Sequence, residues 1–209
     1  ATGKNKNAFK NISLELLYNR LNLFMWAKLL YAGVFVLFLL SLRSQIPQTY
    51  RLRRYRLAFL WIVLGFILHG LALVTRCIIL ARPPVTNLYE TFIFVAFVTV
   101  LVGIIMEAAN KRWLGLVVGS ICGFVFLTIA GKYSAEGDTL RMLIAVLNSN
   151  FWLGTHVVSI TTGYAGVCAA GIVGHVYIIQ ALAKGRDKKL LETTYRNLIG
   201  VLGFGLTMT

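Results

Sequence analysis

LAFLWIVLGFILHGLALV, residues 57–74, contains no Asp, Glu, Lys or Arg, and its only ionisable side chain is that of His69. A bilayer core is about 30 Å thick, and an α-helix needs about 20 apolar residues to cross it. The stretch therefore predicts a membrane-spanning helix.

Comparable apolar runs recur along the chain, separated by short charged or Pro-, Gly- and Asn-bearing stretches. They predict spans at about residues 22–42, 57–75, 90–108, 113–130 and 151–183, with a sixth beginning near Leu198. An open sheet cannot satisfy its backbone groups in lipid, and the runs lack the alternation of a membrane barrel. The predicted fold is an all-α, polytopic transmembrane bundle with about five complete spans plus the start of a sixth.

Composition supports this fold class and opposes a nucleic-acid-binding one. The 209 residues are 58% hydrophobic and 13% charged, whereas soluble domains are about 25% charged. The formal net charge of +14 is strongly basic, but its Lys and Arg residues lie between apolar runs instead of along one solvated stripe. We therefore predict the lipid bilayer, and no nucleic acid, as the partner of this basic chain.

The distribution of Lys and Arg predicts an orientation. Residues 43–56, 109–112 and 184–197 are rich in basic side chains and fall in alternate connections, which the positive-inside rule assigns to the cytoplasmic side. The other connections and the N-terminal segment then lie on the extracytoplasmic side of a bacterial cytoplasmic membrane.

The sequence also suggests a division of the chain. Residues 1–20 are predicted as an amphipathic extracytoplasmic segment, and residues 21–209 as the transmembrane domain. The final apolar run GVLGFGLTMT is too short to finish a crossing, so we expect the natural protein to continue beyond Thr209.

The three histidines lie at different predicted depths in the membrane. His156 lies about five residues into its span, or about 8 Å from the predicted extracytoplasmic start of that helix. An imidazole there, flanked by Phe151, Trp152 and Gly154, is suited to bind heme iron between aromatic side chains. A hydrogen-bonded histidine in the aromatic belt of the interface is the alternative.

The residues around the other two histidines give weaker evidence for a functional role. His69 lies deep in its span, where a helix-to-helix hydrogen bond is favoured over a second iron-ligand role. His175 should lie near the cytoplasmic surface as an interfacial polar residue.

The segment RPPVTNLYETFIF, residues 82–94, joins the second and third predicted spans. Its prolines stop the preceding helix, and Asn87 with Glu90 three residues later has the spacing of a capping box. Tyr89, Arg76 and Arg82 would form a polar rim able to hold a carboxylate such as a heme propionate. Capping alone also explains Asn87 and Glu90 without any ligand.

Two stretches resemble motifs of one protein family. PPVTNLYETFIFVAF, residues 83–97, resembles the P-x-S-N-L-Y-E-S signature of the CcsA (ResC) type of System II cytochrome c biogenesis proteins. SNFWLGTHVVSITTGYA, residues 149–165, resembles their downstream S-x-W-L-x-x-H-V segment with its Gly-Tyr pair. The stretch LHGLALVTR before the first motif also fits some members.

The resemblance implies a function and a set of site residues. It implies that His156 is an axial ligand to the iron of heme b, handled as substrate, and that Trp152 belongs to the same motif. It places Pro84, Asn87, Tyr89 and Glu90 in the first motif. The family's tryptophan-rich heme loop and its other histidines have no match within residues 1–209, so this stretch alone is expected to be inactive.

A complete protein of this type would be a heme exporter and cytochrome c synthase, or heme lyase. It would attach heme to the CxxCH thiols of apocytochrome c on the extracytoplasmic side, with a CcsB/ResB-type partner or fused segment. Two alternatives remain open from the residues. One is a cytochrome b-type electron-transfer subunit using His69 and His156, and the other is a transporter or scaffold without a cofactor.

Overall fold

The computed structural model describes residues 15–42, 47–136, 150–183 and 187–209. Regular structure within these ranges is helical, which confirms the predicted fold class. The long helices are α1 (Leu23–Ser41), α2 (Gln48–Leu80), α3 (Leu88–Asn110), α4 (Leu114–Glu136), α5 (Asn150–Leu182) and α6 (Lys188–Met208). Helices α1 to α5 are long and apolar enough to cross a membrane, in agreement with the five predicted spans.

Two helices begin earlier than hydropathy predicted. Helix α2 starts at Gln48, directly after Pro47, and runs through the arginine-rich stretch that was assigned to a loop. Helix α6 starts at Lys188 instead of near Leu198, because the Asp187 side chain accepts a 2.9 Å hydrogen bond from the backbone N–H of Lys189 and caps the first turn. Hydropathy locates the apolar part of a helix and misses its polar extension.

A short helical segment, residues 15–21, precedes α1. Asn22 separates the two with a left-handed backbone (φ 41°, ψ 52°), a conformation that asparagine tolerates better than most residues. Leu16, Leu17 and Leu21 are exposed on this segment. Residues 1–14 lie outside the described ranges, so the N-terminal division at residue 20 stays a prediction.

Helix α2 shows why the bundle belongs in lipid. One face is buried at helical spacing, and it includes Ala58, Ile62, Gly65, His69, Ala72 and Arg76. The opposite face is equally apolar but exposed, and it includes Leu60, Leu64, Ile67, Leu71, Val74 and Ile78. A soluble helix would carry polar residues on that second face, whereas a helix in a membrane places an apolar face against lipid.

The helices pack as three hairpins. Helices α3 and α4 form the central pair, α1 with α2 packs against it mainly through α4, and α5 with α6 packs against it mainly through α3. Glycines allow two of these close approaches. A Cβ on Gly103 would lie 2.9 Å from the Gly119 Cα, and a Cβ on Gly166 would lie 2.7 Å from the Gly205 Cα. Gly166 and Gly205 thus let α5 and α6 approach closely.

The connections fall at two ends of the bundle. At one end, Asn110 of α3 donates a 3.0 Å hydrogen bond to the side-chain oxygen of Asn197 of α6. Tyr55 of α2 reaches Glu107 of α3 at the same end. We call this the basic end, because the described parts of the basic stretches predicted to be cytoplasmic lie here. The loop between α2 and α3 and the start of α5 lie at the opposite end, which we call the motif end.

Candidate functional site

The loop at the motif end is set by a helix cap. Asn87 has an extended backbone, and its side-chain oxygen accepts a 2.8 Å hydrogen bond from the backbone N–H of Glu90. The predicted cap at Asn87 is therefore confirmed. Together with Pro83 and Pro84 before it, the cap fixes where α3 begins.

Glu90 also organises the charges of this loop. Its Oε1 accepts hydrogen bonds from Arg76 Nε and Nη2, each at 3.2 Å, and from Arg82 Nη2 at 2.8 Å. Its Oε2 accepts from the backbone N–H of Thr86 at 2.9 Å and from the Thr86 hydroxyl. The carboxylate is only 2% exposed, so both of its oxygens are satisfied inside the protein.

These contacts change the interpretation of the polar rim. The sequence suggested that Arg76 and Arg82 could hold the carboxylate of a ligand, but both guanidinium groups bind the carboxylate of Glu90. The Arg76 guanidinium also lies 4.9 Å from the centre of the Tyr89 ring, within cation–π distance. These contacts join one group of residues, which we call the first-motif cluster and which holds the loop against α2 and α3: Arg76, Arg82, Asn87, Tyr89 and Glu90.

The second motif lies at the start of α5 and at the same end of the bundle. His156 is exposed. Phe151 and Trp152 are exposed as well, at 68% and 63%, and their rings meet edge to face at 5.3 Å. Trp152 precedes His156 by four residues, so the two side chains lie on the same face of α5, one turn apart.

The start of α5 packs against the loop of the first motif. A Cβ on Gly154 would lie 3.5 Å from Pro83 Cγ, so the α5 backbone passes close to the loop. His156 itself forms no hydrogen bond or ring contact with the described members of the first-motif cluster. The structure therefore brings the motifs to the same end but leaves His156 outside the Glu90 network.

His69 occupies a closed aromatic cage inside the bundle. It is 0% exposed, and its Nδ1 lies 3.3 Å from the Tyr31 hydroxyl of α1. Phe24 and Phe97 each meet the imidazole edge to face at 5.5 Å. The predicted helix-to-helix hydrogen bond is confirmed. The Nε2 atom has no hydrogen-bond partner among the described residues, and a second-ligand role for His69 stays a prediction.

His175 lies toward the basic end of α5, where its ring Nδ1 is 2.7 Å from the backbone oxygen of Gly171. It is exposed. Among the described residues, histidine, cysteine and acidic side chains form no group of three or more that could hold a metal ion.

The sequence did not single out Glu107, although it is 0% exposed. Its Oε1 accepts from the Tyr55 hydroxyl at 2.8 Å and from the backbone N–H of Trp113 at 2.9 Å. Its Oε2 accepts from the backbone N–H of Gly115 at 3.1 Å. Glu107 thus satisfies the open N–H groups at the start of α4. The sequence signal for this role was a single acidic residue, Glu107, six residues before Trp113, where the next apolar run begins.

These features define the class of protein: a multi-pass α-helical membrane protein with an exposed histidine at one end.

No family model matches the chain. It is 31% identical over 126 residues to the "Cytochrome c biogenesis protein CcsA" of Coffea arabica, covering 60% of this chain and 37% of that protein. The CcsA of a Picosynechococcus strain is 25% identical over 115 residues, covering 54% of this chain and 33% of the relative. The CcsA of Rippkaea orientalis is 28% identical over 123 residues, covering 56% and 35%.

The chain is therefore related to the CcsA-type cytochrome c biogenesis proteins over a little more than half of its length, and the resemblance seen in its motifs is confirmed. It spans about a third of the length of the curated relatives that it matches.

Proposed function

We propose that this chain is part of a membrane protein that handles heme for cytochrome c biogenesis. His156 would bind the heme iron at the extracytoplasmic face. The observation that carries the proposal is the exposed His156 imidazole on α5, in a helix that packs through Gly154 against the loop of the first motif. The names of the three relatives support a role in cytochrome c biogenesis. The match to the second motif supports His156 as the iron ligand.

The side chains around His156 are chemically suited to bind a porphyrin. Neutral imidazole is a common axial ligand of heme iron, and the exposed rings of Phe151 and Trp152 offer apolar surface for one porphyrin face. When bound, heme supplies the vinyl groups to which the cysteine thiols of an apocytochrome add, giving thioethers. His156 would hold the iron so that the vinyl edge stays accessible from outside the membrane.

The first-motif cluster would support this site indirectly. Since Arg76 and Arg82 already bind Glu90, they would shape the loop that faces α5 instead of binding the heme propionates themselves. Tyr89 and Asn87 would act with them as positioning residues. A CcsB/ResB-type partner and the tryptophan-rich segment of the family would complete the heme site.

The electron-transfer alternative receives less support from the packing. Its two proposed ligands would be His69 and His156, but His69 is enclosed by Phe24, Tyr31 and Phe97 while His156 is exposed at the motif end. A heme bound by both would have to displace at least one of these aromatic rings. No described contact joins the two histidines.

The test is the heme content of the protein as the cell makes it. His156→Ala should lower the heme that co-purifies and the yield of c-type cytochromes, because the iron loses its protein ligand. His175→Ala is the matched control, since His175 is exposed on the same helix near the other end. Equal heme content and equal cytochrome yield in the His156→Ala protein and the control would contradict the proposal.

A further inference from the structure

A cavity of about 470 Å³ opens at the motif end, on the side of the bundle formed by α1, α3 and α4. Its walls come from the first turns of α1 and α3 and the last turns of α4. Tyr89 and Ile93 of α3 line it, whereas His156 does not. The cavity is therefore separate from the proposed heme-binding histidine.

Two lysines give this cavity a positive charge. Lys28 of α1 and Lys132 of α4 both line it, and none of its described lining residues is acidic. The nearby acid of the loop, Glu90, does not line the cavity and is paired with Arg76 and Arg82. Two ammonium groups lining one recess favour an anion as its ligand.

The depth of Lys28 strengthens this point. It lies five residues into α1, about 8 Å along the helix from Leu23, and it is half-buried. Snorkelling of the Lys28 side chain toward water would bring its ammonium group to the level of lipid headgroups. An anion at that depth in a membrane is most simply a lipid phosphate.

The remaining walls are divided by polarity. Phe24, Ile93 and Leu127 provide apolar surface, while Asn22, Thr128 and Ser134 provide hydrogen-bonding groups. A free inorganic anion would use only the polar part of such a cavity. A phospholipid would use both parts, since its phosphate can pair with the lysines while its glycerol and upper acyl chain contact the apolar wall.

We propose that this cavity binds the headgroup of an anionic phospholipid from the leaflet at the motif end, with Lys28 and Lys132 on the phosphate. A zwitterionic lipid is a poorer ligand because its own ammonium group would be repelled by the two lysines. The lipid would connect α1 to the α3–α4 hairpin at the level where the first motif begins.

The test uses the natural full-length protein in a neutral detergent. Thermal unfolding is followed after adding phosphatidylglycerol, phosphatidylcholine or inorganic phosphate. Phosphatidylglycerol should raise the unfolding temperature by several degrees more than either other addition. The double variant Lys28→Gln, Lys132→Gln should lose this difference. The matched control Lys111→Gln, Lys189→Gln removes the same charge from exposed positions at the basic end and should keep it.

A second variant covers the case in which the lysine double variant does not fold. Thr128→Trp fills the cavity while leaving both lysines in place, and it too should remove the preference for phosphatidylglycerol. Retention of the preference in either folded cavity variant would overturn the proposal. So would an equal shift from phosphatidylcholine, which would indicate apolar binding alone, or from inorganic phosphate, which would indicate a free-anion site.

Discussion

The backbone of Gly154 packs against the ring of Pro83. A Cβ on Gly154 would lie 3.5 Å from Pro83 Cγ and 3.9 Å from Pro83 Cβ. Gly154 precedes the exposed His156 by two residues, and Pro83 opens the loop that is capped at Asn87. This contact brings the start of the second motif against the loop of the first, two segments that are far apart in the sequence.

The contact can be tested by a disulfide. Paired cysteines need Cβ atoms about 3.5–4.5 Å apart, and the 3.9 Å separation at these positions satisfies that requirement. With the three native cysteines replaced by alanine, Pro83→Cys with Gly154→Cys should cross-link under mild oxidation. The bond would be read as a mobility shift after cleavage of an engineered protease site between the two positions.

The control pairs Pro83→Cys with Gly131→Cys, a position at the same end of α4 where an added Cβ would meet nothing within 4 Å. This pair should remain reduced. Efficient cross-linking of the control, or none of the Gly154 pair, would mean that α5 does not start against the loop.

The sequence predicted those parts of the fold that depend on composition or on near neighbours. Apolar runs located five spans because lipid requires them. The cap at Asn87 was predictable because its partner, Glu90, is three residues away. The early start of α6 was missed because a polar cap, and not hydropathy, begins that helix.

The contacts between helices were less predictable because their partners are distant in sequence. Tyr55 binds Glu107 from 52 residues away, and no local pattern announces that pair. The charge pattern showed arginines near Tyr89 but could not show that Glu90 would bind Arg76 across 14 residues. The position of His156 near the start of α5 followed from its depth in the predicted span, whereas its exposure required the packed bundle.

Glu107 provides a prediction about stability. Glu107→Gln should lower the free energy of unfolding by about 1.5–3 kcal/mol, because the buried carboxylate accepts several charge-assisted hydrogen bonds and the amide would turn a donor toward the backbone N–H groups. Tyr55→Phe removes only one of these bonds and should cost about 1 kcal/mol. The measurement is reversible unfolding in detergent. Glu192→Gln, at an exposed position, is the control, and a Glu107→Gln protein as stable as that control would show that the carboxylate does not hold the start of α4.

The orientation can be measured by sided labelling. In a protein without native cysteines, Phe151→Cys at the motif end should react with a membrane-impermeant maleimide in intact cells, because the positive-inside rule assigns that end to the outside. Arg112→Cys, at an exposed position of the basic end, should react only after the membrane is opened. The reverse labelling pattern would place the basic end outside. His156 would then lie on the cytoplasmic side, and the proposed extracytoplasmic heme site would be excluded.

The most direct test of the iron-ligand role is chemical rescue at position 156. His156→Gly in the natural full-length protein should lose bound heme, and added imidazole should restore the heme spectrum because it can occupy the space of the missing side chain and bind the iron. His175→Gly should retain heme and show no response to imidazole. A His156→Gly protein that keeps a normal heme spectrum without imidazole would contradict the role of His156 as the iron ligand.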